Sequence, residues 1–505
     1  MSSKILSLSD LGNIITLQKA QNKTIAHCHG CFDLLHLGHI RHFESAKKLA
    51  DILIVTLTQD KFVNKGPGRP VFNENQRAEA IAALGCVDYV AINNWATAEE
   101  TIKIVKPTLY VKGPDYKDQS QDITNNIGLE EKAVIAVGGK MYITEDEAFS
   151  SSKLINSHFS PLDEGLQTYL ANFKKTHTLN QVLDAIDKMK DLKVLVIGDT
   201  IIDEYHTCTP LGKSSKSPTI STIFRSDVSY AGGILAIANH IQEYTKNVHL
   251  VTLLGETNTQ LDLIKAKINK SITYKFFSRE DGPTPTKRRY LDSYLNLKLF
   301  EVTYMNDKYI DEPLETEIIN YLNTVDKEYD LIVLADFGHG FITPKIIKTL
   351  ENSSKYLSIN AQTNSNNYGY NYITKFHNAD YISIDEKELR LPFGDAYCSL
   401  EVLIKKLADI TNCNNIQITL GAKGSIIYKD KVFTTIPAFA DSIKDSVGAG
   451  DAVLSLTSLC SYLDIPADIT GFIGNCTGSI AVGILGNEHP VYKKDLTKFI
   501  THFIK

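Results

Sequence analysis

At 505 residues the chain is longer than one hydrophobic core usually supports, so at least two domains are expected. Its 43% hydrophobic and 22% charged residues are those of ordinary soluble globular protein. A formal net charge of -6 gives no electrostatic reason to expect nucleic acid as a partner, so a phosphate-bearing substrate must be met by local donors.

The first residues, MSSKILSLSDLGNII, show no basic segment followed by a continuous apolar run; no secretory signal is apparent, and a cytoplasmic protein is expected. Eight cysteines, few for the length and not framework-spaced, fit a reducing compartment and thiols used as small core residues. From 24 to 58 the order is apolar strand, Gly-containing turn, a helix from about His39, and the unalternating run DILIVTLT, as expected of a parallel strand covered on both faces. QRAEAIAALG and AEETIKIVK then read as helices, and VDYVAI, TLYVKG and KAVIAV as strands. This α/β, Rossmann-like domain is expected to span 1–158.

Residues 27–42, HCHGCFDLLHLGHIRH, pack five histidines and two cysteines into sixteen positions. Cys28, Cys31, His36 and His39 form a formal zinc set, but positions 28 and 31 of a strand point apart, and the gap between Cys31 and His36 is far shorter than a finger loop. Cys28 and Cys31 read better as packing residues in the sheet, His27 as a strand-end residue and His42 as a surface one. A phosphate suits the stretch more than a metal does. Ligands of an open parallel sheet sit beyond the carboxyl ends of its strands, where a helix N-terminus offers free N–H groups. His36 and His39 can aim at one phosphate there, with Gly38 allowing close backbone approach.

GCFDLLHLGH, KGPGRPVFNENQR, PTLYVKGPDY and FSSSKLIN, in that order, resemble the nucleotidyltransferase family marked by His-x-Gly-His. The resemblance implies that His36 and His39 stabilise charge on an α-phosphate while a sugar or polyol phosphate attacks it and pyrophosphate leaves. It further implies nucleotide contacts from Gly30, Phe32 and Asp33, triphosphate contacts from Lys65 and Arg69, a substrate phosphate contact from Lys112, and pyrophosphate contacts from Ser150, Ser151 and Ser152. Arg77 either pairs with Glu79 or Asp88 on the surface or, as its place after the Arg-Pro block favours, contacts nucleotide.

LQTYLANFKK and LNQVLDAIDKMK read as a helical linker over 159–190. From 193, KVLVIGD, HLVTLLG, LIVLADFG, YLSIN, DYISI and IQITLG are strand candidates of a second, doubly wound α/β domain running over 191–505. The apolar stretch 469–486 is interrupted by Asn475, Thr477, Ser479 and glycines, and reads as a buried helix rather than a membrane span. In DSVGAGDAVLSL, residues 445–456, Gly448, Ala449 and Gly450 can present N–H groups to a developing phosphate charge, while Asp451 either takes the proton of an attacking hydroxyl or only caps the helix.

With GDTIID, YAGG, TKRRY, DFGHG, DEKE and TLGAKG, that block resembles the ribokinase-like (PfkB) sugar kinases. The resemblance implies a sugar site at Asp203, Gly232 and Gly233, further substrate contacts from Arg288 and Asp336, an ATP site bordered by Gly421 and Gly424, and Glu388 organising Mg2+ through water. The two halves together look like the bifunctional heptose 7-phosphate kinase and heptose 1-phosphate adenylyltransferases of lipopolysaccharide assembly, in reversed domain order. Three positions depart from that pattern: Ala236 stands for an Asn, with Asn239 or His240 as substitutes from the next turn, His339 for a Lys, and Asp385 for an Asn. INAQTNSNNYGYN has no counterpart and is expected to form a polar loop over the sugar site.

The expected function is therefore anomeric phosphorylation of a sugar with ATP and transfer of a nucleotidyl group, AMP favoured, to the sugar 1-phosphate. A separate sugar bisphosphate phosphatase would act between the steps, and self-association as a dimer through the kinase domain is implied. The alternatives are a CTP-dependent cytidylyltransferase for glycerol phosphate or another polyol phosphate, and a non-catalytic nucleotide-sugar sensor.

Overall fold

The computed structural model describes residues 4–63, 69–113, 126–144, 164–295, 297–440 and 443–504. It divides into two compact units, residues 1–164 with 497–505, and residues 165–496.

In the first unit β1 (Ile25–Gly30), β2 (Ile52–Thr58), β3 (Tyr89–Asn93), β4 (Leu109–Lys112) and β5 (Lys140–Ile143) form a five-stranded sheet in the order β3-β2-β1-β4-β5. Every pairing is parallel. The apolar run of β2 is buried on both faces, as its lack of alternation requires. Helix α1 (Leu8–Ala20) starts at Ser7, whose hydroxyl accepts the Asp10 N–H; α2 (Leu37–Lys48) buries Phe43 and Ala46. Helix α3 (Glu74–Ala82) opens with a capping box between Asn73 and Gln76, and α4 (Glu99–Val105) buries Ile102 and Val105. The strand order reverses between β1 and β4, which opens a crevice at their carboxyl ends.

Two expectations change here. KAVIAV falls in helix α5 (Asn126–Ala136) up to its last residue, Val137, which lies in the following turn, and the strand comes after it at β5. A short apolar run fits either period; here Val134 is buried, Ile135 is exposed, and Gly138 turns the chain at φ 80° before the strand starts. His27 is interior rather than at a strand end: Nε2 lies 2.8 Å from Thr56 Oγ1, and its ring meets Tyr110 edge-on at 5.1 Å.

In the second unit the segment expected to be a linker is part of the body. The helix Glu164–Thr176 buries Leu166, Leu170 and Phe173. Phe173 stacks on Phe472 with ring centroids 4.4 Å apart, and His177 Nε2 lies 2.5 Å from Asp468. An amphipathic stripe of that kind needs a partner, and the body of the second unit supplies it.

Strand β6 (Lys193–Lys213) is 21 residues long and belongs to two sheets. Its first part pairs in parallel with β8 (Asn247–Gly255) and β12 (Leu331–Asp336). β9 (Thr273–Arg279) flanks β8, and β13 (Tyr356–Ala361), β14 (Tyr381–Asp385), β15 (Asn415–Thr419), β16 (Ser425–Lys429) and β17 (Val432–Ile436) continue the large sheet beyond β12. The second part of β6 pairs with β7 (Ile220–Gly233) and β10 (Thr286–Asp292), and β11 (Lys298–Tyr304) completes a small sheet. The sequence reading found β6, β8, β12, β13, β14 and β15 of the large sheet, but not its β9, β16 and β17, nor the small sheet. The apolar stretch from 469 lies mainly in the helix Ala467–Ala481 and is buried, as expected.

Burial holds the His27 imidazole well below its ordinary pKa, with His29 and Lys112 adding to the effect. A group depressed in this way contributes stability that is complete above pH 6.5 and is lost as pH falls. Lowering pH from 7.5 to 5.5 should cost the first unit about 1.4 kcal/mol through this one residue. Urea unfolding at the two pH values should show that loss in the wild type and a smaller one in His27→Phe; equal losses would rule His27 out as the source.

Candidate active sites

The first site starts at the end of β1. A Cβ on Gly30 would fall 2.9 Å from the Phe32 ring, so only glycine lets Phe32 fold back over the strand end. Phe32, at φ 49°, meets the His39 ring edge-on with centroids 5.3 Å apart. Helix α2 begins at Leu37, earlier than the expected His39, because His36 is its N-cap: Nδ1 accepts the Gly38 N–H at 3.1 Å. The His36 and His39 rings stack, centroids 3.9 Å apart, and form one surface at the helix N-terminus. Cys28 lies in the sheet core with its thiol pushed up by burial, whereas Cys31 lies past the strand rather than in the sheet. His42 is half-buried, 3.2 Å from Thr144 Oγ1.

Asp33 fixes the returning loop. It ion-pairs with Arg69 Nε and accepts the Val71 N–H at 2.6 Å. Both terminal nitrogens of Arg69 are buried without a hydrogen-bond partner among the described residues. A guanidinium anchored through Nε with both terminal nitrogens to spare has the donor set to receive an anion. Lys112 is buried and 2.7 Å from Glu130, over the Tyr110 ring. Lys65 and Ser150 to Ser152 lie outside the described residues.

Arg77 is not a surface residue and pairs with neither Glu79 nor Asp88; its guanidinium is spent on the protein itself. It is almost fully buried, and its nitrogens donate to the carbonyls of Phe72 (2.9 Å), Cys31 (2.5 Å) and Thr58 (2.8 Å) and to Asp60 (2.5 Å). It braces three loops from behind. The capping box that starts α3 aims it inward, which its sequence position does not reveal.

The second site is a cleft of about 610 Å³ between the small sheet and the carboxyl end of the large one. Asp203 reaches it from β6, Lys287 and Arg289 from β10, and Glu301 from β11. Arg289 bridges Asp203 at 2.5 Å and Glu301 at 2.8 Å. Burial lowers the pKa of Lys287 against the pull of Asp203 and Glu301. Arg288 does not reach the cleft: strand side chains alternate, so it turns to the other face, pairs with Glu204 at 2.6 Å and lies over the Tyr304 ring. A Cβ on Gly232 would fall 2.0 Å from Asp203 Oδ2, so this glycine makes room for Asp203, while Gly233, at φ 54°, lines the cleft.

Asp336 stands behind the wall. It is buried, ion-pairs with Lys375, and accepts the Gly338 N–H at 2.8 Å; Phe337 is what faces the cleft. Burial and Asp336 push the neighbouring Asp199 carboxyl up to about 7. Neither proposed substitute for the Asn missing at 236 lines the cleft. Asn239 bonds the chain at Lys267 and Asn269, and His240 Nδ1 accepts the Val491 N–H at 3.0 Å. His339 is buried, and neither ring nitrogen has a hydrogen-bond partner among the described residues.

On the opposite wall stand Gly421, Gly424, and Ser446 to Asp451. Gly448, at φ 80°, is the N-cap of the helix Ala449–Tyr462, so Ala449, Gly450 and Asp451 form its open first turn. Asp451 makes no capping bond. Burial and nearby Asp203 raise its carboxyl to about 7 against the pull of Lys287, the range wanted in a base working at neutral pH. Glu388 is buried and pushed up to about 8 by burial, with Asp385 and Asp451 adding. The unmatched polar stretch does line the cleft through Gln362, Asn364 and Ser365. Lys287, Arg289 and Glu301 escaped the sequence reading, although period-two parity in TKRRY sets Lys287 and Arg289 on one face.

Residues 27–157 match the cytidylyltransferase-like family, and residues 191–488 match the pfkB family of carbohydrate kinases. Among curated relatives, the bifunctional protein HldE of Syntrophotalea carbinolica is 34% identical over 143 residues, 27% of this chain and 29% of that one. The HldE of Campylobacter jejuni subsp. doylei is 42% identical over 147 residues, 28% of this chain and 29% of that one. The chain thus spans less than a third of the length of these relatives. A variant of phosphofructokinase-2 from Escherichia coli shares the fold of the second unit, at a TM-score of 0.50 and 10% identity over 63% of this chain and 100% of that one.

Arg77→Met should lower the stability of the first unit by about 3–5 kcal/mol, because it strands three carbonyls and a carboxylate; an unchanged urea midpoint would refute the bracing role. Lys287→Met should cut phosphorylation, as kcat/KM, by roughly a hundredfold, and Arg288→Met by no more than about threefold. Equal effects in steady-state assays would overturn the assignment of faces.

Proposed function

Since the chain belongs to the pfkB family of carbohydrate kinases and carries a cytidylyltransferase-like unit ahead of it, we propose that it is a two-step enzyme of nucleotide-sugar synthesis. In the first step the anomeric hydroxyl of a sugar of the heptose 7-phosphate kind attacks the γ-phosphorus of ATP. The bond to the β-phosphate oxygen breaks, ADP leaves, and the hydroxyl proton passes to Asp451. In the second step an oxygen of the sugar 1-phosphate attacks the α-phosphorus of a nucleoside triphosphate, ATP favoured, and pyrophosphate leaves. The stacked His36 and His39, with Arg69, face that charge. Mg2+ would screen the triphosphates in both steps.

The observation that carries the reading is Asp451: a carboxylate in the first turn of a Gly-capped helix, with no capping duty, in a cleft shared with Asp203 and Lys287. Between the steps a separate phosphatase would remove the distal phosphate. Self-association through the small sheet is supported by Leu211, Ile220, Phe224, Phe300 and Val302, all exposed on its strands or the turn between them. The match to a cytidylyltransferase-like family favours a second reading of the first unit, with CTP as nucleotide donor and a polyol phosphate as acceptor.

Mass spectrometry of products from heptose 7-phosphate or heptose 1-phosphate with Mg2+ and ATP or CTP tests this directly. Asp451→Asn should abolish the bisphosphate and spare nucleotidyl transfer, and His39→Ala the reverse. Because Asp451 acts as a base, wild-type phosphorylation should fall as pH drops through about 7. Loss of both activities in a folded single variant would contradict independent sites.

A further inference from the structure

The turn Leu485–Glu488, closed by the Glu488 N–H on the Leu485 carbonyl at 2.9 Å, lies against the helix Ala449–Tyr462, and its Asn487 lines the cleft. A Cβ on Gly448, the N-cap of that helix, would fall 2.0 Å from Asn487 Oδ1 and 2.8 Å from its Nδ2. Gly448 is therefore glycine for two reasons: its own φ of 80°, and a carboxamide laid against it. Asn487 itself holds φ 61°, a left-handed conformation that asparagine tolerates and most side chains do not.

The turn is tied down around that residue. The Gly486 N–H donates to Asp445 Oδ2 at 3.3 Å, and a Cβ on Gly486 would fall 2.7 Å from the Tyr205 ring and 2.8 Å from the Tyr230 ring. Asp445 also accepts from Lys298 Nζ at 2.8 Å, Tyr205 Oη at 3.0 Å and the Val447 N–H at 3.2 Å. One buried carboxylate thus fastens the Asn487 turn to the residues that lead into Gly448.

Nothing in this arrangement consumes the carboxamide. Asn360, Asn364 and Asn475 also line the cleft, and each spends Nδ2 on a main-chain carbonyl. The Asn487 side chain makes no hydrogen bond among the described residues. A left-handed backbone, a tethered turn and an unspent donor beside an open helix N-terminus mark a group held for a ligand. The N–H groups of Gly450 and Asp451 in that first turn run along the helix axis and meet one side of an anion. The charge of a phosphoryl group in transfer spreads over three equatorial oxygens, so a side-chain donor beside the cap supplies a direction that parallel N–H groups lack.

We infer that Asn487 is a catalytic residue of the kinase site: its Nδ2 donates a hydrogen bond to an oxygen of the phosphoryl group as it passes from ATP to the acceptor hydroxyl. The inference rests on the kinase reading of the cleft and adds to it a side-chain member of the phosphate cradle.

Asn487→Gly keeps the left-handed backbone and removes the carboxamide, so it separates turn-making from donation. In steady-state phosphorylation assays with Mg2+ and ATP its kcat should fall by about a hundredfold, while calorimetry should show ADP affinity within about threefold of wild type. Wild-type protein should bind ADP more tightly when aluminium fluoride, a mimic of the planar phosphoryl group, is added, and Asn487→Gly should lose most of that gain. Asn487→Asp, which keeps the shape but puts a negative charge where the donor was, should be slower than Asn487→Gly; it carries the test should the glycine variant unfold. If Asn487→Gly phosphorylates at the wild-type rate, Asn487 only shapes the turn, and the inference falls while the kinase reading stands. Equal gains from aluminium fluoride in wild type and Asn487→Gly would overturn it as well. If no sugar is phosphorylated but wild type gains from aluminium fluoride and Asn487→Gly does not, the contact stands and the sugar-kinase reading falls. If wild type shows neither phosphorylation nor the gain, both fall.

Discussion

The buried pairing of Asp203 with Arg289 is the constraint around which the second unit is arranged. Asp203 sits just past the point where β6 leaves the large sheet, so its carboxylate marks the floor of the cleft and the root of the small sheet at once. A buried carboxylate needs a matched partner, and β10 supplies one beside β6. The neighbours follow from that choice. Gly232 must lack a side chain, Glu301 balances the other side of Arg289, and Asp203 adds to the burial that holds the Asp451 proton up to near neutrality. The chemistry of the base is thus set first by its burial and then by the carboxylate of Asp203 on the opposite wall.

The first unit solves a similar problem with a different division of labour. Its two buried arginines look alike in sequence, both polar and both in the stretch after β2, yet one is wholly consumed by three carbonyls and a carboxylate and the other keeps donors in reserve. Arg77 turns the loop ends around β1 and β2 into a rigid rim. Arg69, held by Asp33, presents its remaining nitrogens from that rim. Precision at an anion site comes from the residues that never meet the anion.

Most of the architecture was legible in the sequence because parallel strands buried on both faces are written as uninterrupted apolar runs, and every strand of the first sheet but β5 was read from one. The small sheet was not. Its strands are exposed on one side and carry Lys, Arg, Ser and Thr between apolar residues, a pattern that reads as loop when the long extension of β6 is not anticipated. Motif blocks brought His36, His39, Asp203 and Asp451 to cleft or helix-end positions. They did not tell facing side chains from supporting ones: Arg77, Arg288 and Asp336 carry the right chemistry in the right segment but point elsewhere. Orientation depends on strand parity and on caps, which a motif does not encode.

The polar loop after β13 separates two tasks along a few residues. Asn367 and Asn371 hold main-chain carbonyls: Asn367 donates to Phe337 at 2.8 Å, and Asn371 to Asp336 at 3.1 Å and Gln362 at 3.2 Å. Gln362 and Ser365, by contrast, turn to the cleft. Asn364 does both, lining the cleft while its Nδ2 donates to the Phe337 carbonyl at 2.9 Å, so the scaffold is independent of the cleft-facing side chains only at Gln362 and Ser365. A change at Gln362 or Ser365 alters the lining of the cleft and leaves the loop's internal hydrogen bonds in place, whereas a change at Asn364, Asn367 or Asn371 removes bonds that hold the loop, so the shape of this wall is adjustable at some positions and locked at their immediate neighbours.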